Sequence, residues 1–144
     1  MIDNEHILIS LEPRHAENIL AGRKTVELRR RPMNVKVGAI VWIYAKRPVG
    51  SIVGCAKVRD IHLLAPQALW RRFCDDCCIP RSEFFEYFEG VTQATALELS
   101  GCKRLGASLS LESLRGFSAG FQPPQFFARL KVGTPLMGAI CNAG

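Results

Sequence analysis

The 144-residue sequence has no apolar run near the roughly 20 residues that a membrane-spanning helix needs, which excludes that class of membrane protein. Its first residues, Met1-Ile2-Asp3-Asn4-Glu5, are acidic, and no basic-then-apolar segment follows them. The pattern of a secretory leader is therefore missing, and a cytoplasmic location is expected. There are no repeats or low-complexity tracts, no Ser-His-Asp arrangement and no Gly-rich phosphate loop, which argues against a serine hydrolase or an NTPase. Of the six cysteines, Cys74, Cys77 and Cys78 give one C-x-x-C spacing, but a structural zinc site needs two further ligands. No second C-x-x-C and no H-x-x-x-H supplies them, so free thiols are expected, with no metal and no cofactor.

What is present is positive charge, +6 overall, unevenly placed. Residues 1–50 carry nine basic and five acidic side chains, residues 51–100 five and seven, and residues 101–144 five and one. The two ends are thus basic and the middle acidic, which suits a polyanionic partner, because Lys and Arg neutralise phosphates and release counterions. The length is that of one domain.

Hydrophobic patterning predicts a strand over 6–11, then a helix opened by Pro13 and stopped by Gly22, with Ala16, Ile19 and Leu20 at helical spacing. Strands are expected over 25–30, 39–45 and 51–61, with Gly54 marking a bulge or a close backbone approach. Helices follow over 66–74 and from Ser82 to Phe88, then strands over 92–99, 102–105 and 125–132. Residues 110–124 read as a loop, and the small-residue-rich tail 133–144 as poorly ordered. Strand, helix and three strands on short turns suggest a small barrel rather than βαβ units.

The most informative stretch is Gly22-Arg23-Lys24-Thr25-Val26-Glu27-Leu28-Arg29. On a strand, Thr25, Glu27 and Arg29 share one face, while Lys24, Val26 and Leu28 share the other. Glu27 and Arg29 then either form an ion pair on a solvated rim or line a polar cleft.

Around this stretch the order Ile9-Ser10-Leu11-Glu12-Pro13, Ala16 to Leu20, and Gly22-x-Lys24-x-x-Glu27-x-Arg29 resembles the ASCH domain, a branch of the PUA-like superfamily. Gly38, Val41, Ile43-Tyr44-Ala45, Pro48-Val49, Ile52-Val53-Gly54, Phe84-x-x-Tyr87-Phe88-x-Gly90, Ala96 to Leu99 and Pro123-Pro124-Gln125-x-Phe127 extend it over residues 6–131. The resemblance implies an α+β fold, a small, mostly antiparallel β-barrel with two to three flanking helices, as a single domain over 1–132 with a tail at 133–144. It also implies binding of RNA or of a modified nucleobase, nucleoside or nucleotide. One similar branch hydrolyses N4-acetylcytidine with a Lys-Thr-Glu set. Lys24 matches that lysine, but Glu27 stands where the threonine is expected.

The site expected from residues and resemblance together comprises Ser10, Lys24, Thr25, Glu27, Arg29, Arg30, Arg31, Tyr44, Lys46 and Arg47. Glu27 accepts from an exocyclic amino group and Arg29 forks onto a carbonyl, ring nitrogen or phosphate. Tyr44 supplies a stacking surface, with Trp42 on its face of the strand as core. Arg30, Arg31, Lys46 and Arg47 follow a phosphate backbone or simply guard a sheet edge. In an enzyme, Lys24 serves as base or nucleophile while Glu27 moves protons, giving a small hydrolase of acylated nucleosides or a ribonuclease. A further reading is a partner protein working through protein contacts. His15 is expected to face solvent. Replacing Glu27 or Arg29 by alanine is expected to lower affinity and leave melting nearly unchanged.

Overall fold

The computed structural model describes residues 4–144. Six strands, β1 (His6–Leu11), β2 (Val26–Arg29), β3 (Ile40–Ala45), β4 (Ser51–Leu64), β5 (Ala94–Ser110) and β6 (Ala128–Arg129), form one sheet in the order β2-β5-β4-β3-β1-β6. β1 and β3 are parallel, with Ser10 opposite Tyr44, and every other neighbouring pair is antiparallel. Strands β4 and β5 are long, 14 and 17 residues, and their pairing shifts register at several points. Such irregularities bend a ladder and raise its twist, so the mixed sheet curls into a half-barrel.

Five α helices flank it: α1 (Pro13–Leu20), α2 (Pro66–Phe73), α3 (Arg81–Tyr87), α4 (Leu111–Phe117) and α5 (Pro135–Ala143). The α+β, mostly antiparallel half-barrel is the expected architecture, with more helices than the two to three foreseen. Among the described residues, no helix is long and apolar enough to cross a membrane.

Glycine has structural work at two positions. A Cβ on Gly54 would lie 2.5 Å from Leu20 Cδ2 and 2.6 Å from the Lys103 carbonyl oxygen, so α1 and β5 approach the backbone where only hydrogen fits. Gly101, at φ +59°, lets the two short strands expected over 92–105 run on as one bent β5.

Other departures come from tertiary packing. Ser110 accepts from the Ser113 amide and starts α4 where a loop was expected. The tail is not loose: Thr134 caps α5, Pro135 occupies its first turn, and Met137 and Ile140 are buried. They pack with Leu8, Trp42, Ile52 and Leu114.

The sheet has two apolar faces. On one, Ile9, Val41, Ala56, Val58, Leu97 and Leu99 pack under Ala16 and Ile19 of α1. Beyond the opposite face lie two clusters. Val26, Leu28 and Ala96 meet Leu69, Phe73, Phe84 and Phe88 of α2 and α3, while Leu8, Trp42 and Tyr44 meet α4 and α5.

Candidate functional site

Strand β2 alternates as its sequence requires. Val26 and Leu28 enter the α2–α3 core, leaving Glu27 and Arg29 on the other face. That face opens into a cleft of about 550 Å³, walled by the start of α1, β2, the chain before and along α3, the turn after β3 and the segment at Gln125. The volume falls in the range of small-ligand pockets.

Glu27 and Arg29 are 5% and 7% exposed, so neither is a rim residue. Arg29 Nε donates to Glu27 Oε2 at 3.2 Å, and Nη1 donates to the Phe126 carbonyl at 2.9 Å. The third nitrogen, Nη2, is buried without a partner among the described residues. A guanidinium fixed on two sides with an idle buried donor suits an anionic or carbonyl oxygen.

Lys24 lines the same cleft although it precedes the strand. It is 3% exposed, and its Nζ donates to the Cys77 carbonyl at 2.7 Å. That carbonyl is presented by a strained turn, since Cys78 adopts φ +55° without being glycine. The cysteine cluster thus contributes backbone here. Burial pushes the Cys77 thiol up to about 11, so it stays a thiol at neutral pH.

His15, expected in solvent, is a cleft residue. Its Nδ1 is buried without a partner, and Nε2 lies 3.6 Å from Glu12 Oε1. Burial first, and then the Lys24 charge, hold its pKa below the usual histidine value, against the pull of Glu27. At the rim, Arg14 of α1 grips both carboxylate oxygens of Glu83 on α3. This pairing, chiefly through its hydrogen bonds, holds Glu83 below the ordinary carboxylate range.

Of the expected residues, Ser10, Lys24, Glu27, Arg29 and Lys46 meet in this cleft. Ser10 Oγ is buried and unpaired. Arg30 and Arg31 line a smaller pocket that shares Arg29, Tyr87 and Gln125 with the first. Three others lie elsewhere. Thr25 is held by its backbone amide to the Asp76 carbonyl and lines neither pocket, and Arg47 is exposed beyond both. Tyr44 is 3% exposed in the core with Trp42, on the face turned from Glu27.

The aromatic residue at the cleft is Tyr87, 38% exposed, whose hydroxyl donates to the Leu28 carbonyl at 3.3 Å. Burial raises its pKa above that of free tyrosine. Tyr87 and Gln125 both lie within motifs that carry the resemblance, which is the signal that marks them. Arg14, His15 and Glu83 carry no such signal, because only folding brings α1 against α3.

The family model of the ASCH domain matches residues 9–100. An ASCH domain-containing ribonuclease of Zymomonas mobilis is 36% identical over 129 residues, covering 90% of this chain and 86% of the relative. The crystal structure of ASCH from Zymomonas mobilis superposes with a TM-score of 0.91 at 33% identity, covering 99% of this chain and 98% of that one. Human THYN1, solved in complex with 5-methylcytosine-containing DNA, shares the fold alone, with a TM-score of 0.61 at 9% identity over 96% of each chain.

Proposed function

The chain belongs to the ASCH domain family, and on that premise we propose that it is an RNA-binding ribonuclease that holds a nucleotide of single-stranded RNA in the cleft of Lys24, Glu27 and Arg29. The carrying observation is the idle, buried Nη2 of Arg29, fixed at the cleft by Glu27 and the Phe126 carbonyl. Once a small shift of the cleft wall uncovers it, this unpaired donor is placed to stabilise charge on a phosphoryl oxygen. Lys24, with one of its three donors on Cys77, supplies a second cation. His15, kept neutral by its surroundings, and Glu27 are the groups able to accept a proton. The relative described as a ribonuclease, alike over nearly its whole length, supports the same reading.

The test is cleavage of end-labelled single-stranded RNA by wild type, Lys24→Met and Arg29→Lys, each checked for folding by thermal melting. Loss of cleavage in folded variants supports the proposal. Intact RNA after incubation with wild-type protein refutes the nuclease part, and an absence of RNA binding refutes the whole.

A second reading has one observation in its favour. Four basic and four acidic side chains line the cleft, so it is charge-balanced and suits a neutral nucleoside as well as a nucleotide. On that reading Lys24 and Glu27 act on an acylated base, and deacetylation of N4-acetylcytidine with Lys24 dependence is the discriminating assay.

A further inference from the structure

The two connected pockets differ in charge. In the cleft, Arg14 is paired with Glu83 and Glu12, and Arg29 with Glu27. In the smaller pocket, about 260 Å³, Arg29, Arg30 and Arg31 contribute and, among the described residues, no carboxylate does. A polyanion gains affinity chiefly by meeting cations that the protein has not already neutralised. The cleft alone offers few of these.

We propose that the smaller pocket is a second subsite, which takes the phosphate and base of the nucleotide adjoining the one in the cleft. The ligand is then a phosphodiester strand of at least two nucleotides, not a free nucleoside. This rests on reading the cleft as an RNA site. Three features carry it. The pockets share the wall of Arg29, Tyr87 and Gln125, so a chain passes between them without leaving the surface. Arg30 is anchored, its Nη1 donating to the Tyr87 and Glu89 carbonyls at 2.6 and 3.1 Å, which fixes its charge beside the path. Arg31 lies over the Phe126 ring at 4.3 Å and, like Arg30, has no carboxylate partner among the described residues. The ring holds the guanidinium in place by a cation–π contact, and together they offer a surface on which a base stacks regardless of sequence.

The test is competitive binding of oligouridylates of one, two, four and eight nucleotides against a fluorescent eight-mer, at several salt concentrations, with RNA integrity followed on gels. Wild type is compared with Arg31→Ala and Arg31→Lys, substitutions at an exposed position that should lower the melting temperature by no more than a few degrees through the lost cation–π contact. The dimer should bind roughly tenfold tighter than the monomer, and Arg31→Ala should lose that gain. Its log–log salt slope should shrink by about 0.7, one phosphate contact on a single strand. Arg31→Lys should keep the slope and lose part of the affinity, because ammonium keeps the charge without the planar stack.

If monomer and oligomers bind wild type and Arg31→Ala alike, the subsite is refuted and the cleft reading stands. If nothing binds wild type, the cleft reading falls and takes the subsite with it. Displacement of the eight-mer by hexaglutamate at equal concentration also overturns the proposal, marking the arginines as an acidic-peptide site.

Discussion

Glu27→Ala is expected to unfold this protein more than it disarms it, and the burial of its partner sets the scale. On a solvated rim the Glu27–Arg29 pair would contribute about 0–1 kcal/mol, and alanine would leave melting nearly unchanged. Both residues are in fact more than nine-tenths buried, with Nε and Oε2 3.2 Å apart. Removing one member of a buried pair costs about 3–5 kcal/mol, because the remaining charge keeps its desolvation penalty and loses its counterion. Arg29 would keep only the Phe126 carbonyl, with Nη2 already idle. For a chain of this size the loss corresponds to a drop in melting temperature of roughly 10–20 °C. Glu27→Gln keeps an acceptor for Nε but also removes the counterion, so it should recover only about 1 kcal/mol of the alanine loss, or a few degrees. The double variant Glu27→Leu/Arg29→Met removes both charges and should recover most of the alanine loss. Calorimetry on the four proteins at neutral pH decides, and ligand binding is then read on Glu27→Gln, the more stable of the two single variants. An alanine variant melting within about 2 °C of wild type would show that the pair carries no such load.

Gly54→Ala should cost about 1–3 kcal/mol, seen as a lower denaturation midpoint. The added carbon meets both Leu20 and the Lys103 carbonyl, so Leu20→Ala should not fully rescue it, and an unchanged midpoint sinks the steric account. His6 accepts the Trp42 Nε1 hydrogen at Nδ1, 3.0 Å away, and burial lowers its pKa, as it does for His15. The unfolded chain then binds more protons, so these groups contribute stability that is present above about pH 6.5 and lost as pH falls through their lowered folded values. Melting temperatures taken from pH 7 to 5 should fall less steeply in a His6→Gln/His15→Gln variant, and parallel curves would refute this. With iodoacetamide at pH 8, exposed Cys102 and Cys141 should label well before Cys77, whose thiol is pushed up to about 11. Equal labelling rates would contradict the buried placement.

How far the sequence reveals the fold depends on whether local or distant residues decide each element. Helix α1 is written locally, between Pro13 and Gly22 with Ala16 and Ile19 on its buried side, and β3 is a continuous apolar run. Helix α5 is not. Its small residues Gly138, Ala139 and Ala143 read as tail, and it holds because Met137 and Ile140 find Trp42 and Leu8, more than 90 positions earlier. The final strand shrinks to Ala128–Arg129 for the opposite reason: beside β1 only Ile7 and Leu8 offer it a ladder.

The site divides along the same line. Alternation on β2 placed Glu27 and Arg29 on one face, and alternation on β3 placed Trp42 and Tyr44 on one face, both correctly. Alternation within strands cannot relate the two faces, because that depends on register through the intervening strands. Glu27 stands opposite Leu97 on β5, and Leu99 stands opposite Val58 on β4. Ala56, two residues back on β4, stands opposite Val41 on β3. Directly opposed residues share a face, so Glu27 belongs with Val41, and Tyr44, of opposite parity, lies across the sheet. One residue of bulge anywhere along that path would have reversed the result, and β4 contains several irregularities. The residues that strand pairing could not supply come from elsewhere. His15 and Arg14 arrive with α1, Glu83 and Tyr87 with α3, and Gln125 with the segment before β6, each brought in by packing of apolar faces remote from the chemistry.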